Sequence, residues 1–316
     1  MAEPNRVIAV DLGGTHIRVA VVCADGLLTN RRSIPTGSVD GPAVVLQRIV
    51  DLVDSVANEA GIALETPVGV SSPGPLDPRT GEVLFTPNLA GWRNVQLGER
   101  LRAGTGRPVS VANDGNCAVL GERRFGVGAG CTDLVYLALG TGVGGGVISG
   151  GRLIDGVRGF GAELGHVVVA LDGPVCTCGS VGCLESFVGG WAIGRDGALV
   201  ATTRDGEAIR RAAKGKLITG DVVAKAAATG DAVALAILAR AGRALGAAIG
   251  AFVNIFNPEI VVIGGGVAAI GNSLLDPAWK TVTSHSFHAH RTCVRLELSA
   301  LGDDTSLYGA GALVMD

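Results

Sequence analysis

Along the chain, short β-branched apolar runs alternate with longer stretches in which apolar positions recur every three or four residues. Arg6–Val10 and Ile17–Cys23 read as strands around the turn Asp11-Leu-Gly-Gly-Thr15. A second strand–glycine turn–strand unit recurs roughly 130 residues later, with Leu134–Leu139, Gly140-Thr-Gly-Val-Gly-Gly-Gly146 and Val147–Ser149. The spacing predicts helices over Pro42–Ala60, over Asp114–Phe125 with Asn113 or Asp114 as cap, over Asp231–Ile255 ended by Asn257-Pro258, and over Asp304–Val314. Pro67–Val70, Val109–Val111 and Glu259–Ile263 read as further strands, the last running into Gly264-Gly-Gly-Val267. Alternating strands and helices give an α/β layered class. The repeated glycine hairpin predicts a duplicated architecture with one phosphate loop in each half.

Composition sharpens this picture. In 316 residues, hydrophobic side chains make up 47% but aromatic ones only 4%, so the core should be aliphatic. The length allows two domains of ordinary size, and no Pro- or Ser-rich linker parts them, which predicts a cleft instead of a tether. Fifty glycines, about twice ordinary usage, gather at strand ends and loops, where backbone approaches a ligand closely. The net charge of −3, without a basic stripe, gives no reason to expect a nucleic-acid partner. The opening Met1-Ala-Glu-Pro-Asn-Arg lacks a signal-peptide pattern, and the apolar Ala244–Val253 stretch reads as too short to span a bilayer. A cytoplasmic protein with no membrane partner is expected.

The most specific chemistry lies in Glu163-Leu-Gly-His166 followed by Cys176-Thr-Cys178-Gly-Ser-Val-Gly-Cys183-Leu-Glu185. Three thiolates and one imidazole, spaced by glycines, are what a tetrahedral Cys₃His zinc site requires. Disulfides compete poorly, since seven cysteines is an odd number and four of them are scattered. A closed four-ligand site is a structural one, with Glu163 and Glu185 held beside it.

Gly140, Gly142 and Gly145 satisfy G-x-G-x-x-G, but a strand follows where a dinucleotide fingerprint needs a helix; a P-loop is absent as well. What is left is a glycine hairpin that either makes a tight turn or wraps an anion with free N–H groups. Two such loops, with Asp11 heading one of them and Gly264–Gly266 at a strand end, tip the balance towards nucleotide phosphate.

Asp11-Leu-Gly-Gly-Thr15, Asn113-Asp114-Gly-Asn116, Leu139–Gly146, Glu163–His166 and Cys176–Glu185 stand in the order found in the ROK family of sugar kinases, which the chain resembles over nearly its whole length. The resemblance implies an actin-like ATPase fold, two RNase H-like α/β domains around a cleft. The expected division is residues 1–112, joined by 303–316, and residues 113–302 with the metal loop. It further implies Asp114 as general base, which a bare helix-capping role would otherwise explain, and a hexose held by Gly74, Asn88, Asn113, Asp114, Glu163, His166 and Glu185. ATP would lie on Asp11, Gly13, Gly14, Thr15, Gly140, Thr141 and Gly142, with Gly264, Gly265, Gly266 and Val267 bordering adenosine. Magnesium would be held by Asp11 through water. Zinc would take His166, Cys176, Cys178 and Cys183, the second ring nitrogen of His166 facing sugar. Trp92 and Trp191 could stack on a sugar, but read first as buried core. His16 replaces a Lys common in the family, and Thr305-Ser306 a small Ala-Gly pair.

The function implied is phosphorylation of a hexose at its 6-hydroxyl, glucose first, by a homodimer or homotetramer. An amino-sugar kinase (N-acetylmannosamine or a 3-amino-glucose) and a fructokinase are the alternatives, and polyphosphate is an alternative donor. A ROK-type repressor is disfavoured because only ten residues precede Asp11, too few for a helix-turn-helix. A sugar-binding protein without catalysis is disfavoured by Asp114 and both glycine loops.

Overall fold

The computed structural model describes residues 6–86 and 88–315, so the leader reading of Met1–Asn5 lies outside the described residues. Strands β1 (Arg6–Leu12), β2 (His16–Cys23), β3 (Leu28–Pro35) and β4 (Val68–Ser72) come first in the chain. Three short strands, β5 (Leu76–Asp77), β6 (Glu82–Phe85) and β7 (Arg93–Gln96), form a small antiparallel sheet. After them, β8 (Val109–Asn113) completes a five-stranded sheet ordered β3-β2-β1-β4-β8. In that sheet β1 is antiparallel to β2 and parallel to β4, and β4 is parallel to β8. The second large sheet contains β9 (Leu134–Leu139), β10 (Val143–Ser149), β11 (Arg152–Leu153), β12 (Ile260–Gly264) and β13 (Arg295–Leu298), ordered β11-β10-β9-β12-β13. The two orders are the same 3-2-1-4-5 pattern, so the duplicated architecture and the actin-like ATPase fold are what the chain adopts.

The predicted helices form where their capping chemistry is present. Pro42–Ala60 starts on Pro in its first turn and stops at Gly61 in the left-handed region, and it buries Val45, Ile49, Leu52, Val53 and Val56 along one face. Asp114–Phe125 is capped by Asn113, whose Oδ1 accepts from the Gly115 amide at 2.9 Å. The long helix runs Ala232–Phe256, with Asp231 as cap and Asn257 left-handed at its end. The closing helix is Thr305–Ala312, after a 3-10 turn at Gly302–Asp304.

Two expectations need correction. The apolar helix is 25 residues long, enough by length and composition alone to cross a bilayer. Its Gly242, Gly246 and Gly250 stripe lies against the backbone of Leu274, Ala278 and His285, where a Cβ would collide, and Leu238, Leu245, Ile249 and Phe252 are buried. That is a core-helix pattern. The run Gly140–Gly146 is also not one long turn: β10 begins at Val143, and only residues 140–142 turn. Gly145 and Gly146 lack side chains because Leu164 and Tyr136, and Gly115 and Val119, fill the space on either face.

The chain forms two compact units, residues 1–134, 146–162 and 299–316 in one, 135–145 and 163–298 in the other. The helix Asp114–Phe125 therefore belongs with the first unit, whereas the sequence division at 112/113 put it in the second. The reason is packing: Cys117 and Phe125 share an apolar cluster with Leu307 and Ala310 of the closing helix. The first unit's main core is aliphatic, built on Ile8, Val10, Ile17, Ile49 and Val70, and it takes in Trp92.

Candidate functional site

Parallel strands deliver their carboxyl ends to one edge of a sheet, where helix N-termini and turns leave polar groups for a ligand. In the first unit, β1, β4 and β8 end in register, Asp11 opposite Ser71 and Ser72 opposite Asn113. The Gly13 amide donates to the His16 carbonyl at 2.9 Å and closes the β1–β2 turn. Gly14 packs against Asn88, so a side chain there would push on Asn88. Gly74 sits at φ 86° with its missing Cβ against the Phe85 carbonyl, and its own carbonyl accepts from Asn113 Nδ2 at 3.2 Å. Asp114 is exposed at the first turn of its helix, its Oδ1 accepting from the Gly115 amide at 2.8 Å. Asp11, Gly13, Gly14, Gly74, Asn113 and Asp114 thus gather along the ends of three strands, with Asn88 beside Gly14.

Asp11 is 7% exposed and pairs with Arg18 across the hairpin at 2.9 Å. Burial pushes its carboxyl above the ordinary value, and the Arg18 guanidinium opposes that shift. A buried carboxylate with a raised pKa at a strand end is a candidate functional group, and the ion pair with Arg18 gives it a structural role as well.

The second unit collects the rest. His166 Nδ1 lies 3.7 Å from Cys176 Sγ, and Cys178 Sγ lies 3.8 Å from Cys183 Sγ. All four donor atoms fall within 4.8 Å of one another. A tetrahedron with metal–sulfur bonds of about 2.3 Å has edges of roughly 3.8 Å, so the cluster has the size to hold one metal ion. None of the seven cysteines is in a disulfide. Bridges between Val168 and Cys183 and between Val175 and Val181 fold the loop around the cluster.

Glu185 follows the last cysteine and starts a short helix. Its Oε2 accepts from the Val143 amide at 2.9 Å and its Oε1 from the Thr177 hydroxyl at 2.7 Å. Burial alone would raise this carboxyl, but those two donors, His166 and Trp191 hold it below its ordinary value. Desolvation pushes Glu163 the other way, above its ordinary value, with His166 opposing and Glu185 adding to the rise. Ala162, just before it, is held at φ 61°, a left-handed backbone that aims the segment.

A cavity of about 780 Å³ opens inside the second unit, lined by Gly140, Thr141, Trp191, Ile218, Gly266, Val267 and Ile270 among others. The Gly190 amide donates to Gly140 and the Val267 amide to Leu139, both at 2.9 Å, which brings two glycine loops onto the end of β9. Gly264 and Gly265 do not line the cavity: Gly264 ends β12, and Gly265 packs on Leu139. Trp191 corrects its core assignment, since it is half-buried in the cavity wall with Arg195 stacked 5.2 Å from its ring. Arg195, Leu217, Ile218 and Ile270 in that wall escaped the sequence reading, because they carry no motif and meet only through packing.

The sequence profile of the ROK family matches residues 7–316. A glucokinase of Thermotoga maritima is 37% identical over 98% of both chains. An N-acetylmannosamine kinase of Escherichia fergusonii is 30% identical over 97% of both. The crystal structure of a ROK family glucokinase from Streptomyces griseus in complex with glucose and AMPPNP superposes with a TM-score of 0.82 at 33% identity, covering 98% of this chain and 99% of that one.

Proposed function

We propose, from the premise that this chain belongs to the ROK family, that it is an ATP-dependent sugar kinase making glucose 6-phosphate. The observation that carries this reading is the glycine turn Gly140–Gly142 opening onto a cavity large and apolar enough for a nucleoside. The likeness to glucokinases over the full chain supports glucose as acceptor.

Phosphoryl transfer asks the protein mainly for positioning and charge stabilisation. Backbone amides of Gly13, Gly14 and Thr15 and of Gly140, Thr141 and Gly142 would hold phosphate oxygens. The cavity wall at Gly266, Val267, Trp191 and Ile218 would take the nucleoside. Polyphosphate has no use for such a wall, so a nucleoside triphosphate is the donor this site fits. Asp11 would hold magnesium through water, and the ion supplies charge neutralisation at the phosphates. Asp114, exposed at its helix N-terminus, would accept the proton of the 6-hydroxyl.

Gly74, Asn88 and Asn113 would serve one edge of the hexose, and Glu163, His166 and Glu185 the vicinal hydroxyls at the other. With Nδ1 of His166 turned to Cys176, its Nε2 is free to meet sugar. Soft thiolates plus one imidazole at tetrahedral spacing favour zinc, in a structural role. Metal analysis of protein purified without chelator should give one zinc per chain, and its removal should lower Tm, at about 2–4 °C per kcal/mol lost. We place the enzyme in the cytoplasm as a homodimer or homotetramer with no nucleic-acid partner.

The deciding experiment compares kcat/KM with ATP across glucose, 2-deoxyglucose, fructose, N-acetylmannosamine and 3-amino-glucose, with polyphosphate as a second donor. Glucose should lead. The 2-deoxy analogue should be weaker, because each unpaired buried polar group costs about 1–3 kcal/mol. The second reading is an amino-sugar kinase, favoured by the two carboxylates Glu163 and Glu185 at one edge and by the N-acetylmannosamine kinase relative. An amino sugar clearly ahead of glucose would establish it.

A further inference from the structure

The Glu185 carboxylate joins three parts of the second unit that are remote in sequence. Oε2 accepts from the amide of Val143, the residue that follows the glycine turn, at 2.9 Å. Oε1 accepts from the hydroxyl of Thr177, between two cysteines of the metal loop, at 2.7 Å. Trp191 Nε1, from the wall of the donor cavity, stands 3.4 Å from the same oxygen. Gly142 has no room for a side chain, because a Cβ there would strike Oε2. Cys176 Sγ also stands 3.7 Å from Oε1. A carboxylate offers about four lone-pair positions, and the two short bonds, one on each oxygen, fix its plane. Thr177 is not one of the four candidate metal donors.

We propose that Thr177 is a positioning residue that carries the order of the metal loop, through Glu185, to the turn that receives donor phosphates. This inference rests on the donor-site reading above. A metal ion gathers Cys176, Cys178 and Cys183 and so fixes the backbone on both sides of Thr177. The fixed hydroxyl holds Oε1, the held carboxylate keeps the Val143 amide on Oε2, and the turn Gly140–Gly142 keeps its shape. Metal and nucleotide are then linked sites, and the linkage is reciprocal.

Thr177→Val keeps the branched shape and removes the donor, whereas Thr177→Ser keeps the donor. AMPPNP binding by titration calorimetry is measured alongside metal content per chain. The valine variant should retain its metal and bind AMPPNP about five-fold more weakly, the worth of one net hydrogen bond. The serine variant should bind within about two-fold of wild type, as a retained hydrogen bond implies. In the wild type, saturating AMPPNP should make the metal about five-fold harder to remove by a competing chelator, by reciprocity. Wild-type AMPPNP affinity in a fully metallated Thr177→Val overturns the inference. Identical chelator titrations with and without AMPPNP overturn it too, whether or not the valine variant folds. If untouched wild type does not bind AMPPNP at all, the donor-site reading fails first and takes this inference with it.

Discussion

The two glycine hairpins hold the same place in two sheets of the same strand order, yet they come by their carboxylates in different ways. In the first, Asp11 stands on β1 itself, two residues before the glycines, and Arg18 on the partner strand pairs with it. In the second, the position two residues before Gly140 is Ala138, and the acid at the turn is Glu185, brought from more than forty residues downstream. The first carboxyl is pushed above its ordinary value by burial, and the second is held below it by donors. A strand order repeats a scaffold, but it does not repeat chemistry. One hairpin carries a poorly solvated acid suited to meeting a cation, and the other an acid satisfied by its own protein and suited to bracing a loop.

Neither hairpin supplies a base in this reading, which gives the largest expected effect. Asp114→Asn should lower kcat by about 10²–10⁴ while sugar binding and Tm stay near wild type. A folded variant with near wild-type turnover would reduce Asp114 to a helix cap and force the base back onto one of the hairpins.

Asp11→Asn separates the first hairpin from the second. If Asp11 holds magnesium through water, as proposed, its removal should cost about 10–100-fold in kcat/KM for ATP. Stability should move differently. Because burial raises the folded-state value above the ordinary 3.8, the charged form is disfavoured at neutral pH. That burden is fully present above the folded value and is relieved as pH falls through it towards 3.8. The Tm of the Asn variant relative to wild type should therefore be most favourable near neutrality and decline on acidification. A difference that does not change with pH would mean that Asp11 is no worse solvated than an exposed carboxylate.

The smallest effects come from within the second hairpin. Gly142→Ala drives a methyl into the Glu185 carboxylate, an overpacking cost of about 1–3 kcal/mol, whereas an added Cβ at Gly140 meets nothing within 4 Å. Gly140→Ala should keep wild-type stability to within about 0.5 kcal/mol and still weaken ATP, because a methyl there obstructs only an approaching phosphate. Equal melting temperatures for the two variants would show that Glu185 does not brace this turn.

Most of the scaffold was legible in the chain. Hairpin runs such as Arg6–Val10 and Ile17–Cys23, the Pro42 and Gly61 boundaries and the Asp231 cap are local signals, because propensity and hydrogen-bond needs act over a few residues. The Cys₃His cluster was legible for the same reason, since a metal polyhedron is only a few ångströms across and ten to seventeen residues of loop can close it. Tertiary structure alone decided which unit holds Asp114–Phe125, that Trp191 faces a cavity instead of the core, and that Glu185 rather than a hairpin residue caps the Val143 amide. It also placed Arg195, Ile218 and Ile270 in the cavity wall. Each of these depends on apolar surfaces meeting across long stretches of chain, and burial of area is non-directional. The energy that drives it leaves no motif at the residues it brings together.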